Sequence, residues 1–490
     1  MIDLKIIIFG AGKRTAQILN EDKFSHDEIL AISDNNPSKQ GQFIQSKQKK
    51  IKIIPPSEIT LYDFDIVLIA ITDKKIQLNV IQQLIDLGID SLVIRTMVKD
   101  SFIKVPVIDR TKNINFENVL AFMDTSCISI SDHKTGIQRV LNSLYIEFTA
   151  MNANVYPVRF IGEYITSLLY KYRVEHTQFD NVEYPIKTKG GKILFPDTTW
   201  EIGSKTLKEA SKLDFEIYSF IYDIILIRYR TAGERRIKAF TDWIEGVLLY
   251  SDHLLCISHT VANDIMDYYC SIGLHRSVPL SIHVIHMGRT PSIVGIDARD
   301  GIKKFVKESD VTFLMVGTVE PRKNHHLALE ALQQYYFGDK SRNVKLLIMG
   351  KDGWLNDVFK ELYISEGELK ERVLWIQDAS DEELGWAYSN CDALLFPSKA
   401  EGFGLPLVEA AMFNLPILCS DIPIFREIAE EHADYFTVDS VESLRNAIVR
   451  WIDTDKHPSS KLIRTYSWRE CALEILNILA GESVPYKVLK

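Results

Sequence analysis

The chain has 490 residues, 46% of them hydrophobic and 25% charged, with a formal net charge of −9. That composition excludes a disordered or low-complexity chain and predicts roughly three globular domains of ordinary size. The acidic balance excludes a general affinity for nucleic acid, which needs a strong basic excess on one face. Six cysteines (Cys127, Cys256, Cys270, Cys391, Cys419 and Cys471) are scattered without a Cys-x-x-Cys pair, which predicts reduced thiols in a cytoplasmic protein. No apolar run approaches the roughly 20 residues of a membrane-spanning helix, and MIDLKIIIFGAG enters a strand at once rather than a signal peptide. The expectation is a soluble or membrane-peripheral protein.

Residues 1–104 alternate the strand-like runs LKIIIFG, ILAISD, DIVLIAI and SLVI with helical spacing such as KKIQLNVIQQLIDLG, which argues for a parallel sheet. The turn FGAGKRTAQIL follows the first strand. Gly10 and Gly12 would let backbone amides approach a pyrophosphate, and Asp34, 22 residues after Gly12, would take ribose hydroxyls. Thr15 stands where the fingerprint has its third glycine. A redox or epimerase domain also needs a proton-transfer pair. A Tyr-x-x-x-Lys, from Tyr336 to Lys340, lies in another block, so it reads as coincidence. Asp63-Phe64-Asp65 spells a metal-binding pattern but leads straight into an apolar strand and reads as structural. With DNNPSKQG after its second strand, the block resembles the small Rossmann-like accessory domains fused to glycan enzymes.

Residues 105–300 open on a connection, VPVIDRTKNI, and offer NVLAFMD, ANVYPVRF, KILFP, EIYSFIYD, HLLCIS and SIHVIH as strands. One basic run, IRYRTAGERRIKAF, gathers Arg228, Arg230, Arg235, Arg236 and Lys238. It reads either as a solvated helix face or as a patch that meets anionic lipid or a phosphate-bearing acceptor.

Residues 301–490 repeat the alternation more cleanly through VTFLMVG, VKLLIMG, RVLWI, ALLFP and PILCS. Continuous apolar runs mean strands covered on both faces. After ALLFP, the stretch KAEGFGLPLVEAAMF forms a strand-to-helix loop, with Pro406 expected as the first helical residue and Asn414 ending the helix. Amides of Gly402, Phe403, Gly404 and Leu405 at the carboxyl end of a parallel sheet would make an anion site. Glu401 and Glu409 would repel a phosphate, so they are expected to accept hydrogen bonds from neutral hydroxyls on either side of it. One acid then reads a sugar ring and the other a ribose, which is the shape of a nucleotide sugar. A second strand ends at Gly317, and Arg322 and Lys323 precede the next helix on the same sheet edge. A planar fork and a point charge suit a diphosphate that gains negative charge as it leaves. Taken singly, either loop could be no more than a solvated turn.

Gly317 with Glu320-Pro321-Arg322-Lys323-Asn324, then Glu401-Gly402-Phe403-Gly404-Leu405-Pro406 and Glu409, resemble the retaining Glu-x7-Glu glycosyltransferases of family 4, which have the GT-B fold. The resemblance covers about residues 115–475. HKTGIQRVLNSL, with Thr135, Gly136 and Arg139, is similar to the family's first glycine loop; FIYDIILIRYR, with Asp223, to its acceptor-side acid segment; CISHTVANDI, with Ser258, to its strand-end serine motif; and TYSWRECALEIL to its closing helix.

The resemblance implies an α/β protein of three Rossmann-like parallel-sheet domains: an accessory domain at 1–104, an acceptor domain at 105–300 and a donor domain at 301–490, the last two forming a GT-B pair around a cleft. It implies that Arg322 and Lys323 hold the donor diphosphate, Glu401 the transferred sugar and Glu409 the ribose, with Gly136 allowing close approach of the acceptor domain. Catalytic residues would be Arg322, Lys323, Glu401 and Asp223, with no metal and no cofactor beyond the nucleotide diphosphate sugar. The family often has His-Asp where this chain has Tyr222-Asp223; His133 and His259 are alternatives. The implied reaction moves a hexose to a hydroxyl of a glycan or lipid-linked glycan, with a Thr-Gly-Ile-Gln-Arg segment that is frequent in mannosyltransferases of bacterial surface polysaccharides. Two other readings stay open. One is an NAD-dependent oxidoreductase or epimerase acting through residues 1–104, and the other a non-catalytic protein that binds nucleotide sugars.

Overall fold

The computed structural model describes residues 5–19, 28–45, 50–64, 66–71, 76, 79–80, 83–84, 86–89, 94–98, 101–104, 107–108, 119–125, 136–161, 164–168, 182–185, 190–198, 204–230, 233–289, 297–338, 342–353, 356–364 and 369–489. His133, Thr135, Asp65, Cys127 and Lys340 lie outside them. The chain divides into two compact units, Met1–Arg139 with Ala153–Ile217, and Val140–Asn152 with Tyr218–Lys490.

The first unit holds a seven-stranded sheet in the order Phe43–Gln45, Lys50–Ile54, Glu28–Ser33, Lys5–Phe9, Ile66–Ile69, Ile94–Val98, Ser101–Lys104. Its interior pairs are parallel, and each edge closes with an antiparallel strand. Successive residues of Lys5–Phe9 feed opposite faces: Ile6 and Ile8 pack with Leu68 in one core, Ile7 and Phe9 with Val67 and Ile69 in another. This is the period-two outcome expected of a continuous apolar strand covered on both sides. The same unit pairs Ala121–Asp124 in parallel with Val155–Ile161 and Gly191–Phe195. Two antiparallel strands absent from the sequence expectation, Tyr164–Leu168 and Val182–Pro185, extend it, and Val107–Ile108 is a short strand where a connection is expected.

In the second unit, Phe215–Ile221 pairs in parallel with His253–Cys256 from Tyr218 onward, and His253–Cys256 pairs with Leu280–Val284. The helices Glu234–Tyr250 and His259–Ile272 flank them in sequence. The chain then passes through Gly288, where an added Cβ would lie 2.4 Å from Trp468 Cδ2, so only a glycine lets the two backbones cross there. Trp468–Ala480 is the closing helix, begun by a reciprocal capping box between Ser467 and Glu470.

Six parallel strands follow in the spatial order Val373–Ile376, Val344–Met349, Val311–Val316, Ala393–Phe396, Ile417–Ser420, Asp434–Phe436. Numbered along the chain this is 3-2-1-4-5-6, the doubly wound order whose direction reverses between strands 1 and 4. Phe313 and Met315 point into one core while Leu314 points into the other. The reversal puts the carboxyl ends of Val311–Val316 and Ala393–Phe396 side by side, and each opens into one of the two loops singled out in the sequence. No helix among the described residues is long and apolar enough to cross a membrane.

Candidate functional site

The first loop begins at Gly317, whose φ of +125° favours glycine and whose missing side chain leaves room for Lys323: an added Cβ would stand 3.1 Å from Lys323 Cε. Pro321–Lys323 form one 3-10 turn, closed by Asn324 in the left-handed conformation. The second loop runs from Ser398 to Gly404, and Gly404, at φ +97°, leads into the helix Leu405–Met412. Pro406 is the second residue of that helix rather than the first, a shift of one that still spares its missing N–H. Asn414, at φ +52°, ends it as expected.

The two loops meet through charge. Glu401 places Oε1 2.7 Å from Lys323 Nζ, and its Oε2 pairs with Arg322 Nη1. Ser398 donates a further hydrogen bond to Glu401 at 2.9 Å. Arg322 also donates through Nη1 to the Ala400 carbonyl at 3.0 Å and through Nε and Nη2 to Glu320 at 3.0 and 2.6 Å. Lys323 Nζ lies 4.9 Å from the Phe396 ring centroid, a cation–π contact. Burial alone would raise the Glu401 carboxyl, but Arg322 and Lys323 hold it down at about 2. Glu401 is therefore ionised, and it bridges the two cations.

The segment around Asp223 approaches from the same unit. An added Cβ on Gly402 would lie 2.1 Å from the Tyr222 carbonyl oxygen and 3.3 Å from Asp223 Cβ, so glycine is required for that approach. Ser258 donates to the Gly402 carbonyl at 3.0 Å while accepting from the Val261 amide, which caps the helix His259–Ile272. Asp223 is half-buried and accepts from the Ile225 amide at 2.9 Å. Burial pushes its carboxyl up, Arg322 opposes the rise, and Glu401 and Glu320 add to it. Asp223, Arg322, Glu401, Lys323, Gly317 and Gly402 thus belong to one cluster.

Glu409 is engaged separately, by the buried Tyr388 hydroxyl at 2.6 Å. Gly136 belongs to the other unit, where it opens the helix Gly136–Ala150. Sequence reasoning assigned no role to Tyr388, Ser398 or Glu320. Glu320 was within reach, two residues before Arg322, whereas Tyr388 is 21 residues from the acid it holds.

In the first unit, Gly10 adopts φ +105° and makes the expected turn, and Thr15 replaces the third glycine by hydrogen-bonding the Gly10 carbonyl through its hydroxyl. Asp34, however, accepts from the Ala11 amide at 2.6 Å and the Asn36 amide at 2.8 Å, and Lys39 bonds both Asp34 and the Ala11 carbonyl. The acid expected to read a ribose already occupies the turn. Asp63 pairs with Lys5 at 2.8 Å and Tyr336 is a core residue bonded to Val344, while Asp65 and Lys340, the other ends of those two motifs, lie outside the described residues. Among the described residues the one group with metal-ligand spacing is Glu430, Glu431 and His432, with both glutamates exposed. In the basic run, Arg228 pairs with Asp264, Arg230 with Glu234 and Lys238 with Asp242, the solvated-face outcome for these three.

The chain is similar to known glycosyltransferases in sequence and in fold. Residues 298–465 match the family model described as glycosyl transferases group 1, and residues 2–94 match the model described as C2185-like, N-terminal. The serotype-specific mannosyltransferase WbdA of Escherichia coli is 30% identical over 382 residues, which are 73% of this chain and 46% of that protein. The O-antigen chain mannosyltransferase RfbU of Salmonella typhimurium is 31% identical over 196 residues, 40% of this chain and 50% of that one. The chain thus spans about half the length of these curated relatives. Among solved structures, the sucrose-phosphate synthase of Thermosynechococcus elongatus aligns with a TM-score of 0.50 at 14% identity, covering 74% of this chain and 98% of that chain, a likeness of fold in the GT-B class. Through residues 298–465 the chain belongs to the glycosyl transferases group 1.

Proposed function

We propose that the protein transfers a hexose, mannose, from a nucleotide diphosphate sugar to a hydroxyl of a glycan or lipid-linked glycan, in the synthesis of a bacterial surface polysaccharide. The observation that carries this reading is the Glu401 bridge to Arg322 and Lys323 at the point where the 3-2-1-4-5-6 strand order reverses. The mannosyltransferase names of the relatives support the choice of sugar.

In this reading the diphosphate lies against Lys323 and Arg322 and the amides of Gly402 to Leu405. Glu401 turns to a sugar hydroxyl, and Glu409, steadied by Tyr388, takes the ribose. The bond from the anomeric carbon to the phosphate oxygen breaks as the acceptor oxygen attacks the same face, and the acceptor proton passes to the departing phosphate, so the configuration is retained. Two fixed cations aimed at the leaving group do what a divalent metal does elsewhere. Asp223 faces the same charges from the acceptor side.

The three-block division at 104 and 300 is part of the same proposal; the two family matches, at 2–94 and 298–465, fall within its first block and largely within its third. A lipid-linked acceptor would bring the protein to the cytoplasmic face of the membrane. Exposed Arg235 and Arg236, which form no ion pair among the described residues, suit that surface. The deciding experiment incubates the purified chain with a panel of nucleotide sugars and mannose-terminated acceptors. Transfer from GDP-mannose with retained configuration is expected, and no turnover of any donor would overturn the reading.

A further inference from the structure

We infer that Glu320, to which no role in the reaction has been assigned, is a positioning residue that anchors Arg322 while Glu401 moves; the inference rests on the transferase reading above. Glu320 occupies the N-cap of the turn Pro321–Lys323, yet its side chain caps nothing. Instead one oxygen accepts from both Arg322 Nε and Nη2, at 3.0 and 2.6 Å. The Glu320 side chain is only 5% exposed, and among the described residues Arg322 is its ion-pair partner. A carboxylate buried to that degree is costly unless its partner stays in place.

The geometry gives Arg322 two edges with different fates. Nη1 faces Glu401 and the Ala400 carbonyl, whereas Nε and Nη2 face Glu320. When the donor arrives, Glu401 must leave Nη1 for a sugar hydroxyl. An arginine tied only to Glu401 would follow it. Tied also to Glu320 on the opposite edge, the guanidinium stays aimed at the leaving group. Glu320 also cancels part of the local positive charge, because Arg322 and Lys323 face both Glu320 and Glu401. Neutralising Glu320 should therefore leave ground-state attraction for a diphosphate intact or stronger while loosening the group that meets the charge developed in the transition state.

The experiment measures transfer from GDP-mannose and GDP affinity for wild type, E320Q, E320D, R322A and E320Q/R322A. The expected result is a kcat about tenfold lower in E320Q, with KM and GDP affinity unchanged or improved. Partial recovery is expected in E320D, together with no further loss when E320Q is added to R322A. A merely structural glutamate would weaken GDP binding and kcat together. Wild-type kcat in E320Q, or losses that multiply in the double variant, would overturn the inference. A wild type inert toward every donor would instead refute the transferase reading. The Glu320–Arg322 coupling is then read from the melting temperatures of the same proteins, and simple additivity there overturns the anchor.

Discussion

Ser258 and Gly402, 144 residues apart in the chain, are joined by a 3.0 Å hydrogen bond from the serine hydroxyl to the glycine carbonyl. The same oxygen accepts from the Val261 amide and caps a 14-residue helix. One small side chain therefore starts a helix and holds the loop that carries Glu401. Replacing Ser258 with alanine should cost about 1–2 kcal/mol through the lost cap and bond. A threonine variant, which keeps both roles, should recover most of it. Denaturant titration of the two variants checks this, and equal midpoints for alanine and wild type would contradict it.

Two glycines in loops of similar appearance should respond in opposite ways. At Gly402 a Cβ would meet the Tyr222 carbonyl at 2.1 Å, and that atom is backbone, which cannot step aside cheaply. G402A should lose about 3 kcal/mol and most activity. Gly12 has no neighbour within 4 Å of its would-be Cβ and no positive φ, so G12A should stay within about 0.5 kcal/mol of wild type. Parallel unfolding curves decide the contrast. A damaging G12A would mean that the first unit needs a close ligand approach at that position after all.

The placement of the Arg322-Lys323 and Glu401 loops was legible because each follows an apolar strand, and the strand ends of a doubly wound sheet are where loops gather. The pairings across them were not. Arg322 and Glu401 are 79 positions apart, and only the 3-2-1-4-5-6 order makes them neighbours. Tyr388 reaches Glu409 from a different helix for the same reason. The turn at Gly10 formed although its third glycine is missing, since Gly10 alone needs the positive φ and Thr15 supplies a hydroxyl where the motif has open space. The basic run divides between its two readings: Arg228, Arg230 and Lys238 are paired, whereas the exposed Arg235 and Arg236 form no ion pair among the described residues. Lys238–Asp242 is spaced for pairing along one helix face, whereas Arg230, the left-handed C-cap of Ile225–Tyr229, reaches the first residue of the next helix and Arg228–Asp264 is tertiary.

Acid should unfold the donor half through His325. Both of its ring nitrogens are buried without a hydrogen-bond partner among the described residues, and burial, aided by the charge of Lys323, holds the ring neutral down to about 3. The unfolded chain binds a proton at the ordinary value near 6.5 and the folded chain does not. The neutral ring's contribution is therefore fully present above pH 6.5 and declines as pH falls toward 3. Glu401, held at about 2 against 4.5, adds a loss of the same sign below pH 4.5, while Asp223, raised by burial, opposes it. Melting temperatures from pH 7 to pH 4 should drop in wild type and drop less in H325L. Parallel profiles for the two proteins would remove His325 as the cause.

Glu427 should tie the two parts of the second unit together. From the helix Pro423–Ala429 its carboxylate accepts from the His259 amide at 2.7 Å, the Thr260 amide at 2.8 Å and the Thr260 hydroxyl at 2.7 Å. Those amides are the open N-terminus of His259–Ile272, where a negative charge is favoured by both the dipole and the unpaired donors. E427A removes charge and acceptor together and should destabilise by about 1–3 kcal/mol, whereas E427Q, which keeps an acceptor without the charge, should lose less. The Ser258 bond to Gly402 sits at the same helix start, so loosening Glu427 should also lower turnover while leaving GDP affinity near wild type. Stability and kcat measured on both variants test the arrangement, and it fails if E427A matches wild type in both.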